Sequence, residues 1–227
     1  MSTAFQPFGM KPVYHPSGLD RSVPFAGTNS FVPGVVYNAP YALSAGQSFY
    51  QYTPVAVNSS GQLTIAAQAS AGLGTRVYGV FDGVEYNTAE GRRTVGKSIS
   101  LTSLAAANSI VFWIFQDPAL VYEIQVNGSV PATAIGSEYN FDTTAGSTVA
   151  DGYTIGNGGA GFSTTALLST PVASGAQGQV RVVGLGREVA FSGGSGGYPS
   201  LNQWGDAYTI VQVQIANSLT IAPSVAV

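Results

Sequence analysis

IVFWIF (residues 110–115), QDPA (116–119) and LVYEIQV (120–126) run consecutively through the middle of the chain, and their reading decides the fold. The first stretch is wholly apolar, short, and rich in β-branched and aromatic residues, the pattern of a strand covered on both faces. Asp117 before Pro118 suits positions i and i+1 of a type I turn, because Asp bonds the backbone ahead and Pro holds φ near −65°. The third stretch alternates, with Tyr122, Ile124 and Val126 on one face and Glu123 and Gln125 on the other. Asn127-Gly128 then ends it with a pair that tolerates positive φ. Together the three stretches predict a β-hairpin at the centre of an all-β core, with Phe112, Ile114, Tyr122, Ile124 and Val126 buried.

Outward from this centre, short strands and turn residues continue the pattern. Residues 49–57 (FYQYTPVAV) and 62–65 (QLTI) flank Asn58-Ser59-Ser60-Gly61, which predicts a hairpin with a polar loop. In residues 76–86 (RVYGVFDGVEY), Tyr78, Val80, Val84 and Tyr86 are expected to share a face, with Asp82-Gly83 marking a bulge or sharp bend. Phe31-Val32-Pro33-Gly34, followed by Val35-Val36-Tyr37, predicts two short extended pieces around a turn. Residues 101–109 are the best helical candidate. Residues 140–205 hold 15 of the 29 glycines and no segment of helical period, with strands expected at 179–183 and 187–191. Residues 208–215 close the fold, with Thr209, Val211, Val213 and Ile215 on one face. Many short strands between Gly-rich turns predict an all-β antiparallel barrel or sandwich, jelly-roll-like or β-tulip-like, with little helix.

Residues 1–24 differ in texture. Pro7, Pro12, Pro16 and Pro24 oppose helix and central strand alike, while Phe5, Phe8 and Tyr14 are unusual in a free tail. The expectation is an extended arm over 1–24 that docks its rings on the body or a neighbouring subunit, ahead of strands beginning after Phe25. Residues 25–227 then form a single all-β domain, with two lobes at 25–130 and 131–227 as the alternative division.

Charge sets the limits on function. An average protein is about 25% Asp, Glu, Lys and Arg, whereas this chain of 227 residues is 8% charged, with eight basic and eleven acidic side chains. Its surface is therefore covered by Ser, Thr, Asn, Gln, Gly and backbone, with few ions to strip of water when a partner covers it. A secreted β protein with a neutral face has the same composition. A net charge of −3 with so few basic residues argues against a nucleic-acid groove. No apolar run reaches the length of a membrane span, and the first residues do not have the pattern of a signal peptide.

Motifs of catalysis find no support. The one histidine, His15, lies near Ser17 and Asp20, but three groups within six residues of an extended arm cannot converge on a common atom. The absence of cysteine removes disulfides and thiolate metal sites. Residues 156–161 (GNGGAG) fit a dinucleotide fingerprint in letters only, since the flanks are Gly- and Ser-rich and the first acid afterwards is Glu188. No catalytic residue, metal or cofactor is expected, and the chain is expected not to be an enzyme. The one charge feature is the 87–97 loop, where Arg92, Arg93 and Lys97 offer either a solvated turn or a positive spot for an acidic partner.

Three stretches carry a resemblance: FGMKPVYHPSG (residues 8–18), YGVFDGVEY (78–86) and QDPALVYEIQ (116–125). They resemble the head decoration, or cement, proteins of tailed bacteriophages, over about the first 130 residues. The Gly-rich second half carries no matching motif. The matched motifs are packing and turn features, so no catalytic role is implied at any position. The resemblance implies a virion protein on the capsid exterior, made in the host cytoplasm, that binds the major capsid protein after shell expansion, often as a homotrimer at threefold or quasi-threefold axes. For the lambda-like members it also implies a β-tulip fold with a mobile N-terminal arm. Neither nucleic acid nor membrane is among the expected partners. Phe5, Phe8, Tyr14, Arg92, Arg93 and Lys97 are the candidate capsid or subunit contacts. Another virion component (head fibre, minor capsid or tail protein) is the alternative, followed by a secreted carbohydrate-binding β module.

Overall fold

A computed structural model describes residues 5, 7–16, 18, 22–27, 41–43, 48–66, 76–105, 107, 109–142, 163–186 and 202–220. In chain order the strands are β1 (Lys11–Tyr14), β2 (Val23–Gly27), β3 (Ser48–Tyr50), β4 (Pro54–Val57), β5 (Leu63–Ile65), β6 (Gly79–Asn87), β7 (Arg93–Gly96) and β8 (Ser98–Ser100). After the short helix α1 (Leu101–Ala105) come β9 (Ser109–Phe115), β10 (Val121–Gln125), β11 (Glu138–Tyr139), β12 (Phe141–Asp142), β13 (Ala166–Leu167), β14 (Val180–Leu185) and β15 (Ile210–Ile215). The protein is all-β, its named strands pair antiparallel, and its sheets are open: a sandwich rather than a closed barrel, among the described residues.

Two sheets dominate. The first has the order β1-β10-β15-β14-β11; the second has β2-β9-β6-β4-β5, with β7 also paired to β6. The predicted hairpin is corrected here. β9 lies in the second sheet and β10 in the first, so the two arms do not pair. Both edges of β9 are already occupied, by β2 and β6, and the chain must turn into the other sheet to find a free edge. The turn chemistry holds nonetheless. Leu120 N–H donates to Asp117 O (3.1 Å) and Ala119 N–H to Asp117 Oδ1 (2.8 Å). The connection over 116–120 is therefore a corner between layers.

Two cores follow from this layering. One gathers Tyr122, Ile124, Val126, Val180, Val182, Val211 and Val213 of the first sheet against Ala56 and Val80 of the second. The other lies on the opposite face of the second sheet, where Phe81, Val84, Ile110, Phe112 and Ile114 meet Phe49, Ile99 and Leu104. Phe49, Phe81 and Phe112 form a ring cluster there, with centroids 5.3–6.2 Å apart. The five predicted core residues are all fully buried. β9 is fully buried on one face only; Val111, Trp113 and Phe115 are half-buried on the other. Gln125, expected on a solvent face, is buried.

Several local expectations hold. β4 and β5 form the hairpin around Asn58, whose Oδ1 accepts from Ser60 N–H and Gln62 N–H (3.0 Å each). Gly61 sits in that loop at φ +75°, where a side chain would be strained. The bulge falls where Asp82-Gly83 predicts it, as a register shift between Phe81 and Gly83 opposite β9. It also breaks the expected shared face, since Val80 enters the first core and Val84 the second. The helix over 101–109 is one turn, 101–105. β14 and β15 occupy their predicted places, with Thr209, Val211, Val213 and Ile215 buried. The extended pieces at 31–37, the strand at 187–191 and the Gly-rich 156–161 stretch lie outside the described residues.

The N-terminal segment is the second correction. Strands do not wait until after Phe25: β1 pairs with β10 and β2 with β9, each as the outermost strand of its sheet. Proline excludes a central strand but is compatible with an edge, where its missing N–H faces away from the ladder. Pro12 in β1 and Pro24 in β2 therefore select edge positions instead of preventing pairing. Met10, just before β1, is fully buried in the first core.

Candidate functional site

The three stretches that carry the resemblance converge on the junction between the sheets. Gly9 opens it. At φ +75° its absent side chain leaves room for Tyr52, since a Cβ there would stand 2.5 Å from Tyr52 O. Met10 N–H donates to that same oxygen (2.8 Å), and Tyr52 N–H donates to Phe81 O (2.8 Å). The first and second stretches are thus joined through one residue. Tyr52 has φ +69°, the one positive value outside glycine among the described residues, a conformation that persists only when its surroundings impose it.

The first and third stretches meet at His15 and Asp117. His15 Nε2 donates to Asp117 Oδ2 at 2.9 Å, with the imidazole buried and the carboxylate side chain 44% exposed. The Ala119 N–H, and secondarily the His15 hydrogen bond, hold the Asp117 carboxyl below the usual carboxylate range. Tyr122 Oη donates across the corner to Phe115 O (3.3 Å). Burial, with the Asp117 charge second, pushes the Tyr122 phenol far up. His15 therefore acts as a clasp between β1 and the corner. Its expected neighbours in sequence, Ser17 and Asp20, lie outside the described residues.

The bulge aims Asp82 at a second polar cluster. Its carboxylate accepts from Ser22 Oγ, Gln51 Nε2 and Lys97 Nζ, each at 3.1 Å. Three separate segments are thereby tied to β6. Tyr52 feels this group as well: burial raises its phenol first, and the Asp82 charge adds to the shift.

The six candidate contacts fall into two groups. Phe5, Phe8 and Tyr14 accompany the first sheet: Phe5 packs its ring 5.3 Å from that of Tyr208, Phe8 is half-buried, and Tyr14 on β1 is 50% exposed. Arg92, Arg93 and Lys97 belong to the β6–β7 hairpin, so part of the expected 87–97 loop is strand β7. Arg93 pairs with Glu85 (2.7 Å) and Lys97 with Asp82 (3.1 Å). The positive spot is thus largely neutralised by acids on the adjacent strand, which the β6–β7 pairing brings alongside it.

A fourth cluster escaped the sequence altogether. Glu138 on β11 is fully buried and accepts from Arg181 Nη2 (2.7 Å), Gly178 N–H (2.8 Å) and Gln177 Nε2 (2.9 Å). Partners some 40 positions away leave no local pattern to detect. These four clusters join segments of the fold; among the described residues no three His, Cys, Asp or Glu side chains are grouped to hold a metal ion. No known protein family, curated protein or solved structure matches the chain.

Proposed function

We propose that the protein is a structural virion protein that binds the outside of a bacteriophage capsid and stabilises it, without enzymatic activity. Its partners are the major capsid protein and further copies of itself, as a homotrimer; it is made in the host cytoplasm and ends on the capsid exterior. The observation that carries this reading is the scarcity of unpaired charge. Only 8% of residues are charged, and the ion pairs Arg93–Glu85, Lys97–Asp82 and Arg181–Glu138 neutralise several of them within the fold. A surface of this kind is covered by a partner at low desolvation cost. The convergence of the three resembling stretches on one junction adds support, because packing motifs are what a family without catalysis would share.

The test is the protein content of purified particles. Mass spectrometry should find this chain at near-capsid copy number, and purified protein should bind expanded, undecorated heads. Absence from particles overturns the reading; a few copies per particle assigns the chain to a fibre, minor capsid or tail role. In solution at micromolar concentration the mass should be that of a trimer, held by an interface well above the crystal-contact range of about 800 Å².

A further inference from the structure

The chain holds two Asn-Gly pairs, Asn127-Gly128 and Asn157-Gly158, of which the second lies outside the described residues. Asn127-Gly128 follows β10, and its linear pattern suggests positive φ; neither residue has it. The glycine is there for room: a Cβ at Gly128 would stand 2.9 Å from Ser169 Cβ and 3.0 Å from its Oγ. The asparagine is there for its two-sided amide. Its Nδ2 donates to Asp142 Oδ2 (2.6 Å), and its Oδ1 accepts from Ser169 N–H (2.8 Å). Asp142 is 2% exposed, so its carboxylate needs a donor, while the Ser169 N–H needs an acceptor. A short carboxamide supplies both, and a carboxylate does not. With Asn127 N–H also donating to Leu167 O (2.8 Å), one residue ties the end of β10 to β12, to β13 and to the segment after it.

Packing has thus selected a dipeptide prone to losing ammonia. In a flexible chain the Gly128 nitrogen, unhindered by a side chain, attacks Asn127 Cγ. The new C–N bond closes a succinimide while the bond from Cγ to Nδ2 breaks, and Nδ2 leaves as ammonia with the proton of the Gly128 N–H. Water then opens the ring at either carbonyl, returning a proton to the nitrogen and leaving aspartate or isoaspartate. In the folded protein the carboxamide must first swing off both partners to bring Cγ over that nitrogen. One of those partners is a buried carboxylate, which is costly to leave without its donor.

We infer that Asn127 is a modification site gated by folding: its carboxamide survives while the junction of β10, β12 and β13 is closed, and is hydrolysed through the Gly128 succinimide in chains that open. Conversion is one-way. An aspartate at 127 sets a second carboxylate against that of Asp142, and two carboxylates at hydrogen-bond distance cannot both stay ionised. Isoaspartate also inserts a methylene into the main chain, between the bond from Asn127 N–H to Leu167 O and the one from Thr209 N–H to Gly128 O (3.4 Å). Copies that open for long enough are therefore withdrawn from the folding equilibrium by chemistry. The inference stands apart from the shell reading and survives its failure.

The test follows the full-length protein in one mildly alkaline buffer, folded and in urea above its midpoint, with peptide mapping of aspartate and isoaspartate at position 127. In urea Asn127 should convert within twofold of the rate at Asn157, the same pair elsewhere in the unfolded chain. In the folded sample it should convert at least tenfold more slowly than in urea, and a smaller difference overturns the gating. The consequence is read from Asn127→Asp, whose urea midpoint should fall. Combining it with Asp142→Asn exchanges amide and carboxylate across the same hydrogen bond and should restore most of the loss. An unchanged midpoint in the single variant overturns the one-way step. So does a double variant no more stable than the single one. If Asn127→Asp fails to fold, the double variant decides: folding supports the inference, and failure to fold overturns it.

Discussion

Met10→Ala asks whether the N-terminal segment folds with the body or merely lies upon it. Met10 is fully buried among Tyr122, Ile124, Val211 and other residues of the first core, and its N–H is bonded to Tyr52 O at 2.8 Å. Truncating a buried Met to Ala typically costs about 2–5 kcal/mol, through lost transfer energy and the cavity left behind. Met10 adjoins an edge strand, where neighbours relax into part of the void, so the expected loss is about 2–3 kcal/mol at the low end of that range. The main-chain bond to Tyr52 survives the substitution and does not add to the figure. The assay is urea titration followed by tryptophan fluorescence, since Trp113 sits on β9 and Trp204 packs against the first core. The midpoint should fall with the slope unchanged, because the same surface is exposed on unfolding. A segment that detached before global unfolding would cap the loss at its own small opening energy. A shift equivalent to less than about 0.5 kcal/mol, within the range of surface substitutions, would therefore refute the claim that residues 10–14 are part of the cooperative fold.

Three further outcomes follow from the junction and the buried clusters. Gly9→Ala places a Cβ 2.5 Å from Tyr52 O at φ +75°, and should lower the urea midpoint by an amount equivalent to about 1–3 kcal/mol of local strain; an unchanged midpoint would mean that the Tyr52 contact is not maintained. Glu138→Ala leaves Arg181 Nη2 and the Gly178 N–H without their carboxylate, and should cost about 3 kcal/mol, the lower end for a broken buried pair because Arg181 is partly exposed; calorimetry showing a loss under 1 kcal/mol would count against it. Asp117 has a depressed pKa in the folded protein, so its contribution is present above the unfolded value of about 3.9 and disappears as pH falls through the folded value. Asp117→Asn should accordingly narrow the stability gap to the unmodified protein as pH drops below about 4, and a gap that stays constant from pH 7 to pH 2 would show that the carboxylate does not stabilise the corner.

What the amino-acid sequence determined by itself is local. The Asp117-Pro118 turn, the Asp82-Gly83 bulge, the Asn58 loop and the alternating faces of β10 and β15 are each settled within a few residues, by backbone preference and by the two-residue period of a strand. Those features sufficed for the all-β class and for the five buried residues around 112–126. Pairing was decided only in the tertiary structure. A tight turn between two apolar strands has the same local chemistry whether the second strand folds back on the first or crosses to another sheet, and β10 crosses because β2 and β6 already occupy both edges of β9. The prolines of the first 24 residues likewise specify an edge without saying which sheet supplies it. His15–Asp117, 102 positions apart, and Glu138–Arg181, 43 apart, exist because the sheets bring those strands together. Burial of apolar area drives that assembly, and it rewards any register that covers the same faces, so partners at such separations leave no trace in the linear pattern.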